Sequence, residues 1–90
     1  MGPSLDLYVV FARVADTRSF SRAALELGLA KATVSKRVAE LEAALDAPLI
    51  ARSTRKLALT DAGQRVFARA QAMVESAEAI VAELQEERTA

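Results

Sequence analysis

The residues Ser19 to Leu45, SFSRAALELGLAKATVSKRVAELEAAL, leave this chain few folds to choose from. Ala24, Gly28 and Val34 stand four and then six residues apart. Two helices cross closely where a small residue lies at the contact, and Ala24 supplies one. The backbone reverses in a short turn at a residue that accepts positive φ, which Gly28 does. The second helix then returns a branched apolar side chain to the first, here Val34. Ala23, Leu27 and Leu29 fill the space between. The stretch predicts a helix over 20–27 capped by Ser19 and ended by Gly28, a turn at Leu29-Ala30, and a second helix over 31–45.

Val34, Val38, Leu41 and Leu45 recur at steps of four, three and four, which makes them the buried face of that second helix. Its front then displays Lys31, Ala32, Thr33, Ser35 and Lys36, a mixture of cations, hydroxyls and methyl groups without an acid. Arg37, Glu40 and Glu42 fall further round or to the rear. Such a front suits a DNA major groove, where cations meet phosphates and guanine edges and hydroxyls or methyls meet bases. The same stretch also fits an ordinary helical hairpin in a small α-domain.

The flanks extend the pattern in both directions. Ser4 is a suitable N-cap and Asp6 lies where the helix dipole favours an acid. Leu7, Val10, Phe11 and Val14 then form an amphipathic stripe, predicting a first helix over 5–16. Beyond the central stretch, Asp46-Ala47-Pro48 halts the helix, because proline disfavours helical geometry in the residue before it. The apolar runs Leu49-Ile50-Ala51-Arg52 and Lys56-Leu57-Ala58-Leu59, separated by Ser53, Thr54 and Arg55, read as a β-hairpin. Arg52, Arg55 and Lys56 give this hairpin three cations and no acid. Appended to a helix-turn-helix it would be a wing, with arginines suited to phosphates or a minor groove; read plainly, it is a solvated turn with incidental cations.

Thr60 and Asp61 favour the start of a last helix over 61–87, roughly 40 Å long at about 1.5 Å per residue. Val66, Ala70, Met73, Ala77, Ile80 and Leu84 alternate steps of four and three, a heptad seam widened by Phe67, Val74 and Val81. A lone helix would leave this seam wet, so it reads as a dimerisation helix; the competing reading packs it on the first helix of the same chain, and its first two turns are expected to do both.

Composition narrows the functions available. Ninety residues support one small core. The absence of histidine and cysteine removes the usual general base, thiol nucleophile and soft metal ligands, so no catalytic, cofactor-binding or metal-binding residue is expected and the chain reads as a non-enzyme. No run of about eighteen apolar residues spans a membrane, and MGPSLDL lacks the pattern of a secretory leader. The formal net charge is zero, yet it is unevenly spread. Residues 1–60 carry nine Lys and Arg against six acids, a net of +3, whereas 61–90 carry three against six, a net of −3. The basic part is placed to face DNA and the acidic part to stay clear of it.

The order of elements, together with particular residues, resembles the DNA-binding region of LysR-type transcriptional regulators. The matching residues are Phe11, Val14, Ala15, Ser19-Phe20, Ala23-Ala24, Leu27-Gly28, Val34-Ser35, Leu41-Glu42, Leu49, Arg52, Leu59-Thr60 and Gly63. The resemblance covers residues 5–87, nearly the whole chain, without a gap. The resemblance implies a mainly α fold with a small β-hairpin: a winged helix-turn-helix over 1–60 and a linker or dimerisation helix over 61–90. It implies sequence-specific binding of double-stranded operator DNA as a dimer, or a tetramer built from dimers in a full-length protein. Helix 31–45 would lie in the major groove and wing 49–59 at the minor groove. The expected DNA-facing residues are Lys31, Ala32, Thr33, Ser35, Lys36, Arg52, Arg55 and Lys56, and the expected dimer seam is the heptad series from Val66 to Leu84. A bacterial cytoplasmic location at the nucleoid follows, with no membrane partner. The effector-sensing domain of the family, with its inducer site, is expected to be missing from this chain. The alternative is a winged-helix interaction or oligomerisation module without DNA binding, which the zero net charge favours.

Some positions depart from the family pattern. Where the family often has Ser-Gln-Pro or Ser-Gln-Ser at the tip of the recognition helix, this chain has Ala30-Lys31-Ala32. The serine cap is lost, at a cost of about 1 kcal/mol, and lysine in place of glutamine shifts preference from adenine toward guanine or phosphate. Lys56 and Asp46 stand where glycine is common, so the wing turn and the end of the recognition helix are expected to differ.

Overall fold

The computed structural model describes residues 2–51 and 56–89, with the side chain of Thr89 left aside. Four helices and one two-stranded sheet follow in the order α1 (Leu5–Thr17), α2 (Phe20–Leu27), α3 (Lys31–Leu45), β1 (Ile50–Ala51), β2 (Ala58–Leu59) and α4 (Asp61–Thr89). Each boundary has a local cause. Ser4 Oγ accepts the Asp6 amide at 3.3 Å and Ser19 Oγ accepts the Arg22 amide at 3.0 Å, satisfying donors that helix starts leave open. Gly28 takes φ 67°, and the Leu29 amide reaches back to the Ala24 carbonyl at 3.0 Å, which closes α2.

Two other helix ends use the left-handed region without glycine. Arg18 ends α1 at φ 57° and Asp46 ends α3 at φ 52°. Aspartate tolerates this geometry comparatively well, and the Ala47 amide repays it by bonding the Glu42 carbonyl at 3.1 Å. Nothing in the sequence marked Arg18. Its conformation is held by its own amide on the Val14 carbonyl at 2.9 Å, and by the Thr17 hydroxyl, which donates to the carbonyls of Arg13 and Ser19 at 2.8 and 3.0 Å.

The core is a single cluster shared by α1, α2, α3 and the start of the hairpin. Phe11, Val14, Ala23, Val34, Val38, Leu41 and Leu49 are each fully enclosed, and Ile50 nearly so. Leu45, expected on the buried face of α3, is half-buried at its edge. α4 joins through its first three turns, where Ala62, Val66 and Phe67 pack on the cluster and Ala70 is buried; its principal packing partner is α1.

Among the described residues of the hairpin, Ile50 pairs with Leu59 and Ala51 with Ala58, antiparallel. Leu49 is given to the core and to a different bonding arrangement: Glu42 Oε2 accepts the amides of Leu49 at 2.8 Å and Ile50 at 3.2 Å. On the far side, the Thr60 amide bonds the Leu49 carbonyl at 3.0 Å. The Thr60 hydroxyl donates to the Pro48 carbonyl at 2.7 Å and accepts the Gly63 amide at 2.9 Å, so it ties the hairpin to the first turn of α4. Gly63 is buried against Leu49, and a Cβ there would overlap the Leu49 carbonyl.

Glu42 is therefore the clasp between α3 and the hairpin. Glu42→Ala strands two amides at the edge of the core and is expected to lower unfolding stability by about 2–3 kcal/mol, with Glu42→Gln losing less because one acceptor remains. Urea unfolding of the three proteins checks this.

Candidate nucleic-acid interface

α3 is held from behind and open in front. Val34, Val38 and Leu41 are at 0% exposure, which fixes the rotation of the helix about its axis. Lys31, Ala32, Ser35 and Lys36 are consequently exposed and Thr33 is half-buried. The structure thus brings these five side chains to the first turns of one helix, with Glu40 the first acid along it. At 3.6 residues per turn, the line opposite the buried face runs through Ala32, Lys36, Ala39 and Ala43, and Ala39 and Ala43 are both exposed. Lys36 therefore stands outermost among methyl groups, while Lys31 and Ser35 turn to one flank. The sequence reading gave base preference to Lys31; the rotation set by the core places Lys36, not Lys31, at the outermost point.

The tip of α3 has the expected defect. Ala30 occupies the N-cap with extended backbone (φ −69°, ψ 145°) and offers no side-chain acceptor. Its carbonyl takes the amides of Thr33 at 3.0 Å and Val34 at 3.1 Å. The positive end of the helix dipole lies beside the exposed Lys31 and Ala32.

Three exposed residues near the start of α2 were missed: Arg18, Ser21 and Arg22. In helix-turn-helix proteins the helix before the recognition helix crosses the nucleic-acid backbone, so cations and a hydroxyl here extend the basic face. The available signal was the TRSFSR run around the Ser19 cap. Arg13, by contrast, is committed elsewhere, with Glu26 at 3.4 Å and Asp16 at 3.8 Å.

Of the hairpin cations, Lys56 is exposed, whereas Arg52 and Arg55 lie outside the described residues. The heptad seam of α4 divides. Val66 and Ala70 are turned into the chain's own core, while Met73, Ile80 and Leu84 are 39%, 60% and 51% exposed and Ala77 is also exposed. Among the described residues no helix is long and apolar enough to cross a membrane, and no group of His, Cys, Asp or Glu side chains is placed to hold a metal ion.

This arrangement is a winged helix-turn-helix followed by a long helix. A model of the bacterial regulatory helix-turn-helix proteins of the lysR family matches residues 5–64, and the chain belongs to that family. It is 41% identical over 80 residues to the HTH-type transcriptional repressor PA14_22550 of Pseudomonas aeruginosa, covering 89% of this chain and 25% of the relative. Among solved structures, a Corynebacterium glutamicum OxyR mutant superposes with a TM-score of 0.82 at 29% identity, over 96% of this chain and 27% of that one. The BenM DNA-binding domain, solved on catB site 1 DNA, shares the fold with a TM-score of 0.82 at 24% identity, over 93% of each chain. The chain spans about a quarter of the length of the curated relatives it matches.

Because Ala30 already has cap geometry and lacks only the acceptor, Ala30→Ser is expected to raise stability by about 1 kcal/mol. Thermal unfolding of the two proteins measures it, and a shift in the other direction would show that the tip of α3 is satisfied in another way.

Proposed function

We propose that this chain is the reading module of a bacterial transcriptional regulator, binding double-stranded operator DNA sequence-specifically as a homodimer. The observation that carries the reading is the front of α3: two lysines, two hydroxyls and exposed methyl groups, free of acids, on a helix whose rotation is fixed by three wholly buried residues. A helix presented in this way fits the major groove. Lys36 and Lys31 reach base edges or phosphates, Ala32, Thr33 and Ser35 line the contact, and Arg18, Ser21 and Arg22 lie along the backbone beside it. Arg52, Arg55 and Lys56 belong to the wing and meet the adjoining minor groove.

On this reading residues 1–60 are the head and 61–90 the linker and dimerisation helix, with the exposed part of the seam, from Met73 to Leu84, joining two copies. The exposed Met73, Ala77, Ile80 and Leu84 support the pairing, since a stripe of this kind is covered in a working assembly. The module acts by binding and not by catalysis, and its substrate puts it at the nucleoid in the cytoplasm. BenM's domain, of the same fold, has been solved on DNA, and the relatives are named as transcriptional regulators.

Titrations against a selected duplex and a random duplex, at several salt concentrations, test the surface. Lys31→Ala and Lys36→Ala are each expected to weaken specific binding by about 1–3 kcal/mol. Arg55→Ala should weaken both duplexes similarly and lower the salt slope by about one phosphate contact. Unchanged affinity in all three variants would show that the DNA-facing surface lies elsewhere.

A further inference from the structure

An acid on a helix that faces DNA is ordinarily a liability, because the partner is a polyanion. α3 carries two acids, Glu40 and Glu42, and the fold uses them differently. Glu40 is exposed. Glu42 is half-buried and turned to the hairpin, where its Oε2 accepts the amides of Leu49 at 2.8 Å and Ile50 at 3.2 Å. These are the residues at which the chain enters the wing. The burial of their side chains anchors them, but hydrophobic contact has no direction. Two N–H donors on one carboxylate oxygen do have direction, and they fix how the entering strand is tilted against α3.

The other ties at the base of the wing lead elsewhere. Thr60 bonds the carbonyls of Leu49 and Pro48, through its amide at 3.0 Å and its hydroxyl at 2.7 Å, and refers the wing to α4. Among the described residues the strands add the pairs Ile50–Leu59 and Ala51–Ala58, and a two-stranded hairpin is marginal by itself. The direction of the wing is therefore set from its base, and Glu42 refers that base to the helix with the DNA-facing front. We infer that Glu42 is a positioning residue for DNA binding: without touching DNA, it holds the entry of the wing at a fixed angle to α3, so that wing and recognition helix meet one duplex together. This rests on the DNA-binding reading above and adds how its two contact surfaces are kept in register. It reverses the expectation from charge alone, since disabling this acid weakens binding to a polyanion.

The test titrates variants of the whole chain against a selected and a random duplex at several salt concentrations, each below its own thermal transition. Glu42→Asp keeps the charge but is shorter by one methylene and loses the reach. It is expected to weaken both duplexes by about three- to tenfold and to lower the salt slope by about one phosphate contact. Glu42→Gln keeps an acceptor oxygen at the original reach and should bind within about twofold of the unaltered chain. Glu40→Gln, which removes the exposed acid, should bind at least as tightly as the unaltered chain. On an Arg55→Ala background Glu42→Asp should cost little more, because the contact it positions is already gone. Full affinity with an unchanged salt slope in Glu42→Asp would confine Glu42 to stability and overturn the inference, leaving the DNA-binding reading intact. A loss that adds in full to that of Arg55→Ala would also overturn it. If Arg55→Ala binds both duplexes unchanged, the wing does not meet DNA and the inference falls with that part of the reading.

Discussion

Ala23 and Ala24 are buried in the core that α2 shares with α1 and α3, and each contributes no more than a methyl group to it. This close approach of α2 governs the rest. It leaves room for Val34, Val38 and Leu41 to be wholly enclosed along one side of α3, and their enclosure fixes which way the other side faces. A larger side chain at either alanine would have to be accommodated by moving α3, and with it Lys36, Lys31 and Ser35. The specificity of the surface is thus set by residues that never meet a ligand. Gly28 serves the same end, since its positive φ lets α3 follow α2 after only two further residues.

A second constraint joins the far end of α3 to everything after it. Glu42 bonds two amides of the hairpin, Thr60 bonds the hairpin to α4, and Gly63 lets α4 approach the Leu49 backbone. Recognition helix, wing and long helix are consequently one mechanical unit, although they contribute to the core unequally. Past Val74 that unity ends: the rest of α4 is attached by continuity of the backbone alone.

Much of this was legible in the residues. The caps at Ser4, Ser19 and Thr60, the stop at Gly28 and the apolar periods of α1 and α3 act over a few residues, so they predict their helices to within two residues. The small residues at the α2 crossing identified the helix-turn-helix, and the missing cap at Ala30 was visible as a departure from the family pattern. What was not legible depends on contacts between distant parts. The sequence marks Glu42 as an acid at the rear of a helix, and only the fold brings the Leu49 and Ile50 amides to it. Arg18 is held in the left-handed region by a hydroxyl and a carbonyl that no local rule pairs with it. The first apolar run of the wing reads as one strand, yet Leu49 within it serves the core and not the ladder. The heptad seam of α4 allows packing on α1 as well as on a mate, and only the fold shows how far along it the chain's own head reaches.

The central claim is that α3, oriented by the alanines of α2, reads DNA as one member of a symmetric pair. An unbiased selection of random duplexes with this chain, read at several salt concentrations, tests it most directly. The account predicts enrichment of two half-sites in inverted orientation at fixed spacing, with affinity falling steeply as salt rises. Failure to retain any duplex, or retention that is insensitive to salt and without a recurring sequence, would contradict it.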